Sequence, residues 1–234
     1  MKRTQIILFS LLILVSCNPP KNESVFDRIV ACKESQIEPD IPKFVNKVTF
    51  LPLDSGNGIL IGSVDKVAFC NDLIYIADYS TRKIVVYDMN GKFRFVLDRQ
   101  GRGPGEYLEI KSFTVDSNNL YVLDNFGKKL FVYDSMNGEY KTNKRMPIVA
   151  WDVEALSNGD LIFAFVTAGG KLSKKQPLYR LFVTDNDLNI KSQLLDYRNE
   201  KDVDVLGYDN YFSAYGDKII FCSYGRDCRL MFSI

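Results

Sequence analysis

Gly101-Arg-Gly-Pro-Gly-Glu-Tyr107 separates two copies of one pattern. Before it stands Leu73-Ile-Tyr-Ile-Ala-Asp78, which returns after it as Leu120-Tyr-Val-Leu-Asp124. Likewise Lys83-Ile-Val-Val-Tyr-Asp88 returns as Lys129-Leu-Phe-Val-Tyr-Asp134. Asp78 and Asp124 are 46 residues apart, as are Asp88 and Asp134. A period of that length, with several short β runs per copy, is the signature of a propeller blade.

Working outward, apolar runs bounded by turn residues predict four strands per unit. In the first unit they cover residues 61–69, 73–77, 83–87 and 93–97, and in the second 110–115, 120–123, 129–133 and 139–144. Asn90-Gly91 and Asn137-Gly138 mark matching hairpin turns. A third unit is predicted at 149–156, 161–166, 179–184 and 190–195, with a long Gly- and Lys-rich loop over 167–177. The fourth begins at 211–214, continues through 218–221 and 229–234, and is one strand short. Lys47-Val-Thr-Phe-Leu-Pro-Leu53 belongs to no complete unit and is expected to be a closing strand. The fold class is therefore all-β: a propeller of four-stranded blades, about four of them present.

The 234 residues are 46% hydrophobic and 25% charged, enough apolar material for a buried core. Thirty basic side chains face 29 acidic ones, so no basic surplus exists to neutralise a phosphate backbone, and nucleic acid is excluded as the expected partner. Histidine is absent, which removes His-ligated zinc, a Ser-His-Asp triad and any His general base. Carboxylates, Lys, Tyr and Cys remain, so enzyme chemistry is disfavoured rather than ruled out. No catalytic, metal-binding or cofactor-binding residue is assigned, and no cofactor is expected.

At the N-terminus Lys2 and Arg3 precede an apolar run over residues 6–15, which ends in Leu14-Val-Ser-Cys17. A basic start, a short apolar stretch and small residues before a cut describe a secretory signal over residues 1–17. The run is shorter than the roughly 20 apolar residues a membrane span needs. Its ending resembles a bacterial lipobox, which implies acylation of Cys17, membrane lipid as a partner, and export to the cell envelope, on the periplasmic or surface side of the outer membrane. Residues 18–43 then read as a tether and 44–234 as the propeller domain. Export permits disulfides. A Cys222–Cys228 cross-strand bridge around Ser223-Tyr-Gly-Arg-Asp227 is one arrangement, Cys70 has the setting of a small core residue, and Cys32 has no assigned role.

The segment Gly101–Tyr107, followed by Phe113-Thr-Val-Asp116, Asn119-Leu-Tyr-Val-Leu-Asp124 and Leu130-Phe-Val-Tyr-Asp134, resembles the NHL-repeat consensus. More narrowly, with the lipobox and Ile61-Gly-Ser-Val-Asp-Lys66, it is similar to six-bladed β-propeller lipoproteins of unknown function found in bacteria. That resemblance implies a binding or interaction module for a peptide, a glycan or an envelope protein. Since some NHL-like propellers are lyases or hydrolases, it leaves an enzyme as the alternative, and a non-functional truncated copy as a third reading. Six such blades need on the order of 275 residues, whereas residues 47–234 supply 188. An incomplete ring is expected, or else a four-bladed ring closed by residues 47–53.

Four residues are candidates for facing a ligand. Arg102 and Glu106 lie in the Gly-rich segment, whose glycines are expected to supply positive φ at the crossing between blades. Trp151 and Asp152 are placed on an inner strand, the kind that lines a propeller's channel. Lys171, Lys174 and Lys175 are read as a solvated loop face. The recurring Asp78, Asp88, Asp124 and Asp134 are read as acceptors for turn amides rather than as ligands of a metal.

Overall fold

The computed structural model describes residues 29–33, 47–55, 58–165, 179–196, 210–215, 218–222 and 228–233. Residues 1–17, expected as a secretory signal ending in Cys17, and the 167–177 loop with its three lysines lie outside the described residues. Among the described residues sixteen strands form four antiparallel sheets of four. The first sheet is β2 (Lys66–Cys70), β3 (Leu73–Asp78), β4 (Lys83–Asp88) and β5 (Phe93–Leu97), in that order. The second is β6 (Ser112–Val115), β7 (Asn119–Asp124), β8 (Lys129–Asp134) and β9 (Tyr140–Arg145). The third is β10 (Asp152–Ala155), β11 (Leu161–Ala164), β12 (Tyr179–Thr184) and β13 (Ile190–Asp196).

The fourth sheet corrects two expectations. It consists of β14 (Phe212–Tyr215), β15 (Lys218–Cys222) and β16 (Cys228–Ser233), completed on its outer edge by β1 (Ile29–Lys33). Ala31 pairs with Leu230 and Val30 with Met231. The closing strand thus comes from within residues 18–43, the stretch expected as tether, while residues 47–53 form no strand and expose Phe50 at 90%. Pro52 cannot donate to a ladder, and the segment's neighbour Asp54 instead donates its amide to the Gly91 carbonyl at 2.8 Å.

Successive sheets pack face on face. Leu73, Tyr75, Ile84 and Val86 of the first meet Phe113, Leu120, Val122 and Phe131 of the second. Tyr121, Leu123 and Leu130 of the second meet Val153, Leu161 and Phe163 of the third. Ile162, Leu181 and Val183 of the third meet Phe212, Ile219 and Phe221 of the fourth. Strand alternation explains this: residues two apart share a face, so each apolar strand serves two interfaces. At the inner edge β2 packs on β6, β6 on β10 and β10 on β14. Among the described residues β14 and β2 share no comparable packing, so the sheets form an arc rather than a strand-closed ring. Across that gap Asn210 donates from Nδ2 to the Asp65 carbonyl at 2.5 Å and accepts from the Tyr79 hydroxyl at 3.3 Å.

The repeat is carried by aspartates. Asp78 accepts from the amides of Gly62 (2.7 Å), Ser63 (3.3 Å) and Thr81 (3.0 Å). Its repeat mate Asp124 does the same for Leu108 and Gly127, at 2.8 and 2.7 Å. Burial alone would raise the Asp78 carboxyl, but the Ser80 hydroxyl and the Thr81 and Gly62 amides hold it well below the usual carboxylate range. Asp88 and Asp134 accept from the amides of their own hairpins. Because Asp78 takes the amides of residues 62 and 63, the predicted 61–69 strand shortens to β2. At the Asn-Gly turns only the glycine has positive φ, and the ladder shifts register at Val86/Tyr87 and Val132/Tyr133, so each is a turn with a bulge.

In the Gly-rich crossing, Gly105 alone has positive φ, at 74°. A Cβ there would stand 2.7 Å from the Tyr140 ring. The crossing is pinned by Tyr107, fully buried, whose hydroxyl lies 2.9 and 3.1 Å from the Arg82 and Leu97 carbonyls. Gly105→Ala is expected to cost about 2 kcal/mol from left-handed strain and overpacking, read as a lower urea midpoint with unchanged slope. An unchanged midpoint would contradict the packing of Tyr140 on this loop.

Candidate functional site

The four inner strands open at neighbouring points in space: β2 with Lys66, β6 with Ser112, β10 with Asp152 and β14 with Phe212. The Lys66 ammonium donates to Asp152 Oδ1 at 2.9 Å, to Ser112 Oγ at 3.3 Å and to the Val153 carbonyl at 3.1 Å. Ser112 donates to the same Asp152 oxygen at 2.5 Å. The other oxygen, Oδ2, accepts the Tyr211 and Phe212 amides at 2.7 and 2.9 Å. One carboxylate therefore joins all four sheets, and it is fully buried, with Lys66 only 8% exposed. Burial by itself would lower the Lys66 pKa, but the Asp152 and Glu154 carboxylates keep the ammonium charged, above its ordinary range.

Two residues along β10, on the same face as Asp152, sits Glu154. Its Oε1 accepts from the Thr114 hydroxyl at 3.1 Å, and its Oε2 lies 3.3 Å from Lys66 Nζ. That ammonium also meets Asp152, Ser112 and the Val153 carbonyl, so its three protons are shared among four acceptors. Burial pushes the Glu154 carboxyl up, with Lys66 opposing and Asp152 reinforcing the shift.

Beside this cluster a cleft of about 490 Å³ opens against β2 and β14. Asp65, Lys66, Phe69, Val115, Glu154 and Phe212 line it, so all four inner strands contribute. Its apolar rim is bare: Val67 is 41% and Phe69 66% exposed. Their repeat mates 46 residues on are Phe113, fully buried against the first sheet, and Val115, partly buried against the same core. A second hollow of about 460 Å³ lies near the second-sheet edge by Lys128, Arg145 and Met146, and a third of about 230 Å³ by Tyr79, Glu109 and Lys111. Neither draws on all four sheets.

Of the sequence-derived candidates, Asp152 lies at the heart of the cluster. Trp151 is in the bend just before β10, not on it, with Lys111 Nζ 4.4 Å from its ring centroid and the third-to-fourth-sheet core against it. Arg102 and Glu106 are exposed in the crossing loop, where Glu106 Oε2 accepts from the Gly103 amide at 2.7 Å. The structure does not gather these four residues into one site. Cys222 has a free thiol, because it pairs with Arg229 and not with Cys228. Sequence reading missed Lys66, Ser112 and Glu154. A signal existed, since Lys66 and Ser112 are polar residues at equivalent repeat positions that open apolar strands.

Four-stranded antiparallel sheets packed face on face around converging inner strands define a β-propeller protein. The chain belongs to the family DUF5128, described as 6-bladed beta-propeller, which matches residues 19–228. It is similar in structure to an exported protein of Bacteroides fragilis, with a TM-score of 0.63 and 21% identity over 76% of this chain and 49% of that one. This chain therefore spans about half the length of that protein. Looser likenesses are to hydrazine synthase of Kuenenia stuttgartiensis (TM-score 0.45, 13% identity, 75% of this chain and 47% of that one) and to BamB of Moraxella catarrhalis (0.41, 11%, 73% and 44%). No curated protein sequence matches the chain. The described residues form four sheets where the family description counts six blades.

Proposed function

We propose that this chain is an exported lipoprotein, anchored through an acylated Cys17, whose propeller acts as a binding module for a peptide, glycan or envelope partner. The basic and apolar N-terminus with its Cys17 supports the address, and the similar B. fragilis protein is described as exported. The single observation that carries the binding role is the cleft: about 490 Å³, drawn from all four sheets, with bare apolar walls beside a charged floor. That volume and mixed lining fit a small-ligand seat.

The same geometry weighs against catalysis at this point. Asp152 is saturated by Lys66, Ser112 and three backbone amides, leaving no lone pair aimed outward. The Lys66 ammonium stays protonated and spends its protons internally, so it is neither a base nor a nucleophile. An NMR titration with panels of short peptides and oligosaccharides tests the reading. Binding should shift the amides of Val67, Phe69, Val115 and Glu154; a ligand that shifts only amides elsewhere would overturn the cleft as the seat.

A further inference from the structure

The cleft has a charge imbalance that selects its ligand. Asp152 and Glu154 stand around one cation, Lys66, and Asp65 adds a third carboxylate to the cleft lining. Asp152 is filled, and Asp65 Oδ2 already accepts from the Tyr79 amide and the Ser63 hydroxyl, at 2.7 and 2.6 Å. Glu154 differs. The Thr114 hydroxyl donates to its Oε1 at 3.1 Å, and its Oε2 shares the Lys66 ammonium, 3.3 Å away, with Asp152, Ser112 and the Val153 carbonyl. Its side chain is 16% exposed, at the cleft floor. A partly desolvated carboxylate that shares its one cation with three other acceptors gains from a second charged donor.

Anions meet the opposite situation: the one cation, Lys66, already faces two carboxylates at 2.9 and 3.3 Å, and the acidic surplus repels them. A metal ion lacks its ligand set, since among the described residues no three carboxylate or thiol groups converge to hold one. The walls above Glu154 are Val67, Phe69, Val115 and Phe212. They suit an aliphatic stem, and the Phe69 face can add a cation–π contact.

Resting on the cleft as the binding seat, we infer that it takes a primary ammonium carried on an unbranched apolar stem, as a lysine side chain presents it. The ammonium donates to Glu154 Oε2, and the stem lies along Val67 and Phe69. Lysine-bearing peptides are the partner class this chemistry recognises.

The test uses three probes of one length, 1-hexylamine, 1-hexanol and hexanoate, followed by the shifts of the cleft amides at neutral pH. Hexylamine should bind at the cleft at least about tenfold more tightly than hexanol, with hexanoate weakest, the factor expected for one charge-assisted hydrogen bond. Glu154→Gln should remove the preference for the amine and leave hexanol unchanged. Phe69→Ala, an exposed position that does not endanger the fold, should weaken hexylamine and hexanol alike. Equal binding of hexanol and hexylamine, or an amine preference that survives Glu154→Gln, overturns the ligand class while the cleft reading stands. Absence of any probe from the cleft, with wild-type protein folded, overturns both.

Discussion

Asp152→Ala is expected to destabilise the protein by about 3–5 kcal/mol, the cost of leaving a buried ammonium without its counter-ion. The change strips Lys66 of its closest acceptor and leaves the Tyr211 and Phe212 amides, both buried, without theirs. It also cuts the one side chain that touches the opening of every inner strand. Lys66→Met should cost less, about 1–2 kcal/mol, because Asp152 keeps Ser112 and three backbone amides as donors. The double variant should be less destabilised than the sum of the two, by at least about 1 kcal/mol of coupling. Urea denaturation of the three variants measures all of this. A cost for Asp152→Ala within about 0.5 kcal/mol, the range of an ordinary surface substitution, would mean the cluster does not tie the sheets together.

A chain that starts at residue 44 is expected to lose the fourth sheet as a stable element, whereas one that starts at residue 24 should keep it. The difference is β1, whose five residues pair with β16 along its outer edge. Without it β16 becomes a bare edge strand, open to pairing with other chains. The sheet would be left with three strands, of which β14 and β15 are tied to the third-sheet core through Phe212, Ile219 and Phe221. The shorter chain should therefore unfold with a smaller urea slope, since less surface is left to expose, and should associate at micromolar concentration. Identical slopes and midpoints for the two chains would show that β1 adds nothing. The first three sheets should persist in both, because β1 pairs with β16 of the fourth sheet.

The repeat could be read directly because it is local. Asp78, Asp88, Asp124 and Asp134 end strands by binding amides a few residues away or one crossing away, so the same residue type recurs at the same offset. Strand positions followed from alternation for the same reason. The identity of the closing strand was not local. Residues 29–33 and 47–53 are both short apolar runs, and which of them meets β16, some 200 residues later, depends on how the intervening sheets stack. Pro52 was the available hint against the second.

The binding seat was harder still. Asp152 was legible as a polar residue at an inner-strand position, but its partners arrive from three other sheets. The repeat relates Lys66 to Ser112, but neither it nor the position of Phe212 announces that the three share one carboxylate. Trp151, the chain's single tryptophan, drew attention for its rarity and turned out to pack under Lys111 one position ahead of the strand. Arg102 and Glu106 stood in the segment that decided the fold, yet Glu106 serves that loop's own Gly103 amide. Conspicuous residues marked the scaffold, and the cleft was built from unremarked ones.

Hydrogen exchange at the Tyr211 and Phe212 amides tests the central claim most directly, that one buried cluster binds four sheets into a single unit around the cleft. Both amides donate to Asp152 from the start of the last sheet. Their exchange should require the same global opening as the Tyr75 and Val86 amides in the core of the first sheet, with matching free energies and matching denaturant dependence. Exchange of Tyr211 and Phe212 through a separate, lower-energy opening, while Tyr75 and Val86 stay protected, would contradict it: the fourth sheet would then move independently, and the cleft would have no fixed wall.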